Sequence, residues 1–256
     1  MPLLAEGRAG KSPLHRLDAR AKILGFVGFT VVVVSTPAHA VWAFILYATV
    51  LVFLLGLARV PPAYVLRRIL VVVPFLLVVA CFLPFFHRAG AGGYSLGGLH
   101  VTGEGLLVLW NAGAKAVLGA LSMIVLGATT GFSDIVWGFE RLRAPKVLIL
   151  IVGFMYRYSF VFVEEARRMR RAMTSRNYRA RWLWNIPVLG HMLGALFLRS
   201  YSRGERVYVA MLSRGYEGTI HLGERTTFGL TGAAFVGSIL ALAVTIRTLA
   251  SIWGAA

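Results

Sequence analysis

The chain has 256 residues, of which 58% are hydrophobic and only 14% are charged, and its formal net charge is +17. A composition this apolar, with a mean hydropathy of +0.73, excludes an ordinary water-soluble globular domain and predicts an integral membrane protein. Because Lys and Arg accumulate in the cytoplasmic loops of membrane proteins, the positive charge needs no nucleic acid to explain it. We therefore expect a lipid bilayer, and no nucleic acid, as the environment of this chain.

Five apolar segments of the chain approach the length that crosses a bilayer core, which is about 20 residues. A sixth apolar run, 145–163, contains Arg157 and leads directly into a very basic segment, so it either crosses fully or lies obliquely under the bilayer. The prediction is an all-α integral membrane protein with five transmembrane helices, or six, plus long cytoplasmic amphipathic helices. The five predicted spans are 21–37, 39–58, 66–86, 105–130 and 226–248.

The distribution of positive charge orients the chain. The turn at 35–39 carries no Lys or Arg and the loop 88–104 carries only Arg88, so both are predicted outside. The N-terminus is then cytoplasmic. The predicted organisation is an N-terminal tail with four spans in 1–130, a cytoplasmic helical region in 131–225 and a last span in 226–256. Cytoplasmic charges precede the first span and flank the second turn, at Lys11, Arg16, Arg20, Lys22, Arg59, Arg67 and Arg68.

Residues that carry chemistry are scarce. No Asp or Glu lies centrally within a predicted span, which disfavours a proton-coupled carrier. The six histidines lack the helical spacing that pairs metal ligands, and Cys81 is the single cysteine. Residues 5–12, AEGRAGKS, fit a relaxed phosphate-loop pattern, but only four residues precede them and Pro13 follows, so no strand and helix can frame a phosphate. We expect neither a catalytic nor a metal site.

Two polar residues interrupt the fourth predicted span. Asn111 and Lys115 lie one helical turn apart, and so on one face, within an otherwise apolar segment. An intramembrane lysine faces protein or water and not lipid. Two interpretations stay open, namely contact with a partner or solute, and a lysine that reaches the membrane surface or bonds to neighbouring carbonyls.

The segment 157–214 contains twelve arginines, three glutamates and no lysine. A planar guanidinium suits specific pairing with carboxylates, whereas general attraction to anionic lipid would accept lysine equally well. Helical spacing of apolar residues predicts two long helices here, with Glu164 and Arg168 set for an i, i+4 pair and Pro187 near the start of the second helix. A docking surface is predicted.

One short pattern occurs twice in this segment, as AMTSRNY at 172–178 and AMLSRGY at 210–216. In each copy Ala and Met precede the arginine by four and three residues, and Asn177 or Gly215 is suited to close a helix. A helix stop explains the arginine and the residue after it, but not the others, so we predict a docking role. The predicted docking residues are Ala172, Met173, Ser175, Arg176, Ala210, Met211, Ser213, Arg214 and Gly215.

Two such motifs in a basic region before the last span resemble the coupling motifs of the transmembrane T component of energy-coupling factor transporters, most closely the cobalt-type CbiQ family. The N-terminal stretch 12–22, SPLHRLDARAK, is also similar to that family's opening, with Ala19 where the family often has proline. The motifs depart from the family pattern at Ser175 and Ser213, where alanine is common, and at Asn177, where glycine is expected.

The resemblance implies a non-catalytic subunit of an ATP-driven importer in a bacterial or archaeal cytoplasmic (inner) membrane. Implied partners are two cytoplasmic ATPases of the CbiO or EcfA type, a substrate-binding membrane subunit of the CbiM or S-component type, and optionally a small accessory membrane subunit. The chain would bind no cofactor, because ATP is bound by the partners, and Arg176 and Arg214 would each serve one ATPase. Cobalt is the first expected substrate, followed by nickel and then a vitamin.

Two other classes of function remain as alternatives. The first is a membrane-embedded enzyme or self-sufficient carrier that acts without ATPases. The second is a membrane anchor whose basic helices bind anionic lipid, for which lysine at positions 176 and 214 would be harmless.

Overall fold

A computed structural model of the chain describes residues 13–37, 39–86, 94–96, 99–101, 103–176, 178, 186–218 and 229–253. Within these residues a short 3-10 helix, Pro13–Arg16, precedes eight α-helices, and two short strands pair antiparallel between α3 and α4. The elements are α1 Ala19–Val34, α2 Val41–Ala58, α3 Pro62–Phe86, β1 Tyr94–Leu96, β2 Leu99–Val101, α4 Gly103–Thr129, α5 Phe132–Arg141, α6 Lys146–Ser175, α7 Ile186–Leu212 and α8 Leu230–Trp253.

The all-α membrane fold is confirmed, because a helix occupies each predicted span. The strand pair is an addition that the apolar pattern did not indicate. In the part of the chain that the structure describes, four helical segments are long and apolar enough to cross a membrane, namely Val41–Ala58, Leu107–Thr129, Lys146–Ser175 and Leu230–Ile252. Helix α1 has 16 residues, which is about 24 Å at 1.5 Å per residue and short of a hydrocarbon core of about 30 Å.

The apolar run 145–163 forms the first half of α6. This helix has 30 residues, about 45 Å at 1.5 Å per residue, and it continues without a break from the apolar run into the basic segment. The two halves of α6 therefore present different chemistry along one helix.

The chain divides into two compact units. The first comprises residues 1–138 and 226–256, and the second comprises residues 139–225. In the first unit α1 packs against α4 and α8, and α4 also packs against α2 and α3. In the second unit α6 packs against α7.

Small residues let the helices of the first unit approach closely. A Cβ atom on Gly28 of α1 would lie 2.7 Å from Cδ2 of Leu240 in α8, and one on Gly25 would lie 3.4 Å from the Phe235 ring. Because lipid tails are as apolar as the side chains, helices in a membrane associate through such close packing. The glycines of α1 thus bring α8 against the N-terminal helix.

Buried polar groups of the first unit bond to backbone carbonyls of other helices. The Tyr47 hydroxyl lies 3.2 Å from Thr36 Oγ1 and donates to the Ala243 carbonyl at 3.2 Å. The Ser122 hydroxyl donates to the Phe26 carbonyl at 3.2 Å. A polar group in hydrocarbon needs a protein partner, so these bonds make specific contacts among α1, α2, α4 and α8.

The helices of the second unit are exposed along most of their length. Only 6% of the most apolar part of α6 is buried, compared with 39% in α2 and in α4 and 22% in α8. Helix α7 exposes large apolar side chains, among them Phe197, Leu198 and Tyr201. Surfaces of this kind lie against lipid or against another protein.

Candidate functional site

The two copies of the repeated pattern end their helices through the same backbone bond. Helix α6 ends at Ser175 and α7 at Leu212. In the first copy the Tyr178 N–H donates to the Met173 carbonyl at 3.1 Å, and in the second the Tyr216 N–H donates to the Met211 carbonyl at 3.1 Å. A bond to a carbonyl five residues back is the closing bond of a helix C-terminus.

The serines of the two copies are equivalent as well. The Ser175 hydroxyl donates to the Arg171 carbonyl at 3.1 Å, and the Ser213 hydroxyl donates to the Val209 carbonyl at 2.9 Å. Each bond returns to the carbonyl four residues earlier, which is a local bond that serine readily forms in helices. The two serines therefore make the same local contact at the two helix ends.

The residues after the two arginines differ. Gly215 has a φ of +77°, a conformation that glycine adopts at little cost and that commonly follows a helix end, as predicted for this residue. Arg176 caps α6 with φ −86° and ψ 20°. The conformation predicted for Asn177 lies outside the described residues.

The side chains of the two copies form a half-buried group and an exposed group. The methionines and tyrosines are half-buried. The alanines, serines and arginines are exposed, together with Gly215, and among the described residues neither Arg176 nor Arg214 forms an ion pair. Each helix end therefore presents one arginine to its surroundings.

Glutamates in α6 pair with arginines in a pattern that the sequence spacing did not predict. Glu164 pairs with Arg171 at 3.3 Å, so the prediction of a Glu164–Arg168 pair was wrong. Arg168 pairs instead with Glu165 at 3.1 Å, three residues earlier. Glu165 also accepts a hydrogen bond from Arg199 of α7. Helical spacing permits both the i, i+3 pair that forms and the i, i+4 pair that was predicted, so spacing alone did not identify the partner.

Sequence reasoning missed a structural role for Lys22 in the first unit. It treated this residue as a cytoplasmic surface charge, but the side chain is only 2% exposed. The Lys22 ammonium donates to the Thr129 carbonyl at 3.0 Å and to the His15 carbonyl at 3.4 Å. Thr129 is the last residue of α4, where carbonyls lack helical partners and the helix dipole is negative. Lys22 thus joins the start of α1 to the end of α4.

We call this contact between the start of α1 and the end of α4 the N-terminal anchor. Residues around Lys22 add further contacts to it. The Asp18 carboxylate accepts from the Arg20 N–H at 3.1 Å and caps the first turn of α1. A Cβ on Gly138 of α5 would lie 2.6 Å from Cδ1 of Ile23, so α5 packs closely on α1. Burial, followed by the charge of Lys22, lowers the pKa of His15. The only sequence signal for this anchor was the resemblance of residues 12–22 to a family opening.

The polar pair of the fourth span lies in the first unit, whereas the repeated helix ends lie in the second. Asn111 and Lys115 are both half-buried in α4, and the Asn111 Oδ1 atom is buried without a hydrogen-bond partner in the described part of the chain. A partner contact at these residues stays a hypothesis. No cluster of three His, Cys, Asp or Glu side chains within the described residues could hold a metal ion.

The fold defines a multi-pass helical membrane protein with two equivalent helix ends in its basic region. Residues 10–226 match the model of the CbiQ family, described as cobalt transport protein. The chain therefore belongs to the CbiQ family, and is a transmembrane component of the EcfT/CbiQ transporter type.

Individual relatives agree with this assignment. The chain is 25% identical to the energy-coupling factor transporter transmembrane protein EcfT of Listeria innocua over 95% of this chain and 94% of that protein. It is 31% identical to the cobalt transport protein CbiQ of Rhodobacter capsulatus over 38% of this chain and 40% of that protein. A fused cobalt transport protein, CbiMQ of Methanocorpusculum labreanum, is 26% identical over 83% of this chain and 36% of its own length.

Proposed function

We propose that this chain is the non-catalytic coupling subunit of an energy-coupling factor importer for cobalt. It transmits ATP-driven movement of two cytoplasmic ATPases to a substrate-binding membrane subunit, and it lies in the inner membrane with its N-terminus in the cytoplasm. ATP is bound by the partner subunits. The choice of cobalt rests on the names of the family and of two relatives.

The observation that carries this proposal is the pair of equivalent helix ends. Each one closes through a tyrosine N–H and a methionine carbonyl and leaves one arginine exposed. Two equivalent presentations suit two similar partners, such as a pair of ATPases. An arginine that meets a carboxylate in a desolvated interface contributes about 2 kcal/mol or more, judged by truncation.

The exposure of α6 and α7 supports the transmission of movement. Helices that make few contacts with the rest of their own chain can shift when a partner moves their ends. Their exposed apolar side chains, including Phe197 and Tyr201, offer surface for a membrane partner. The proposal therefore assigns the arginines to the ATPases and the apolar faces to the bilayer and the substrate-binding subunit.

The test uses the chain co-produced with its ATPases and its substrate-binding subunit. We expect the Arg176→Ala/Arg214→Ala variant to abolish ATP-dependent uptake of radioactive cobalt and to weaken co-purification of the ATPases. Arg206→Ala is the matched control, because Arg206 is an exposed arginine of α7 outside both copies. Normal uptake by the double variant would contradict the docking role. Uptake of nickel or a vitamin, without cobalt, would correct the substrate.

Conservative variants separate docking from attraction to lipid. Arg176→Lys and Arg214→Lys keep the charge but lose the guanidinium fork, so docking predicts reduced uptake. An anchor that binds anionic lipid by charge alone predicts no change.

A further inference from the structure

One carboxylate joins the two helices of the second unit. Glu165 of α6 accepts a hydrogen bond from Nη1 of Arg199 in α7, and it also pairs with Arg168 of its own helix at 3.1 Å. The Glu165 side chain is 16% exposed, whereas the side chains of Arg199 and Arg168 are 64% and 56% exposed. The carboxylate therefore sits at the inner side of this ion-pair cluster and the arginines reach in from outside.

The surroundings of Glu165 are strongly positive. Arg203, one helical turn after Arg199 on α7, also lies close enough to act on this carboxylate. The segment 157–214 holds twelve arginines and three glutamates, and Glu164 is engaged with Arg171 within α6. Without the Glu165 charge, Arg168 would face Arg199 and Arg203 as like charges, which repel one another. Among the described residues, Glu165 is thus the carboxylate that offsets arginine charge between α6 and α7.

The Glu165–Arg199 contact lies several helical turns before the arginine at the end of each helix. Glu165 lies eleven residues before Arg176, and Arg199 lies fifteen residues before Arg214. At 1.5 Å per residue, the arms from the contact to the arginines are about 16 Å on α6 and about 22 Å on α7. A change of angle at the contact therefore displaces each helix end in proportion to these arm lengths.

We propose that the Glu165–Arg199 pair is the pivot that holds α6 and α7 together and sets the separation of Arg176 and Arg214. In this proposal Glu165 and Arg199 are positioning residues, because they act through the two helix ends. The proposal rests on the coupling function proposed above. It adds that the spacing of the two docking points is set inside the chain, by one ion pair, before any ATPase binds.

The first experiment measures the distance between the helices in the purified full-length chain. Spin labels replace the exposed residues Arg170 and Tyr208 through cysteine in a Cys81→Ser background, because Cys81 is the only native cysteine. We expect Glu165→Gln and Arg199→Gln to broaden and lengthen the distance distribution. Glu164→Gln is the matched control, as it breaks the exposed Glu164–Arg171 pair within α6, and it should leave the distribution unchanged. Arg199→Lys, which keeps the charge, should retain most of the native distance.

The second experiment measures ATP-dependent uptake by the same variants, without labels, in the full complex. We expect Glu165→Gln to reduce uptake up to about fivefold, the effect of losing an exposed ion pair, and Glu164→Gln to change it less than twofold. The Glu165→Gln/Arg199→Gln variant should be less impaired than the product of the two single effects, because the residues form one unit.

Outcomes of the two experiments separate this proposal from the function on which it rests. A distance distribution unchanged in Glu165→Gln, or a changed distribution with normal uptake, would overturn the pivot. The Arg176→Ala/Arg214→Ala variant should keep the native distance and lose uptake. If that variant instead transports normally, the docking role of the two arginines fails, whatever the distances show.

Discussion

The two units of this protein differ in the exposure and the partners of their polar side chains. In the first unit three buried donors reach carbonyls on other helices, namely Lys22 at Thr129, Tyr47 at Ala243 and Ser122 at Phe26. In the second unit the polar contacts are exposed pairs between arginines and glutamates, and large apolar side chains also face outward. Hydrogen bonds between helices thus help to hold the first unit together, whereas the surface of the second is suited to contacts with other molecules.

The largest expected difference between the units is in the free energy of unfolding that is lost when a phenylalanine is replaced by alanine. Phe29 in α1 is 1% exposed and packs against the Tyr47 ring with centroids 5.5 Å apart, whereas Phe197 in α7 is 68% exposed. We expect Phe29→Ala to lower the free energy of unfolding by about 3 kcal/mol because it leaves a cavity. Phe197→Ala should change it by less than about 0.5 kcal/mol. Denaturation of the two purified variants measures this contrast, and equal effects would contradict it.

A smaller effect is expected at the N-terminal anchor. Lys22→Met keeps a long side chain but removes the donor to the Thr129 carbonyl. We expect a loss of about 2 kcal/mol in the free energy of unfolding, the cost of removing a hydrogen bond to a charged group. Arg20→Met, in the same turn of α1 and more exposed, is the control and should cost less. If the order of the two variants were reversed, Lys22 would not anchor α1 to α4.

The smallest expected effect tests the hydroxyl bonds within the bundle. Tyr47→Phe removes the bond to the Ala243 carbonyl between α2 and α8. Hydrogen bonds between membrane helices contribute about 0.6 kcal/mol on average, so we expect a loss of that size. Tyr208→Phe in the exposed part of α7 should have no measurable effect. A Tyr47 variant as stable as the native chain would show that this bond adds nothing to the packing.

Apolar runs predicted the helices well because a segment that spans hydrocarbon must be continuously apolar and must satisfy its backbone internally. Gly215 was predictable for a similar local reason, since few other residues adopt its positive φ at low cost. The partners of charged side chains were less predictable. Glu164 lies at the right spacing for Arg168, but Arg168 pairs with Glu165, which also meets Arg199 of α7.

The repeated pattern shows how sequence and structure divide the explanation. Its two copies were visible in the sequence, and so was their position at helix ends. The structure adds that both helices close through a backbone bond to the methionine carbonyl and that both arginines are exposed at these ends. Docking at Arg176 and Arg214 stays a prediction for the uptake experiment.

What the sequence by itself determined is whatever depends on neighbours along the chain, namely the apolar spans, the helix ends and the membership of the CbiQ family. Only the tertiary structure decided which cations are buried and which helices an ion pair joins. Lys22 and Arg20 stand in the same turn of α1, yet only Lys22 is enclosed, because the end of α4 lies beside it. Whether a charged side chain is exposed or buried depends on residues far away in sequence, and local sequence patterns do not show which residues these are.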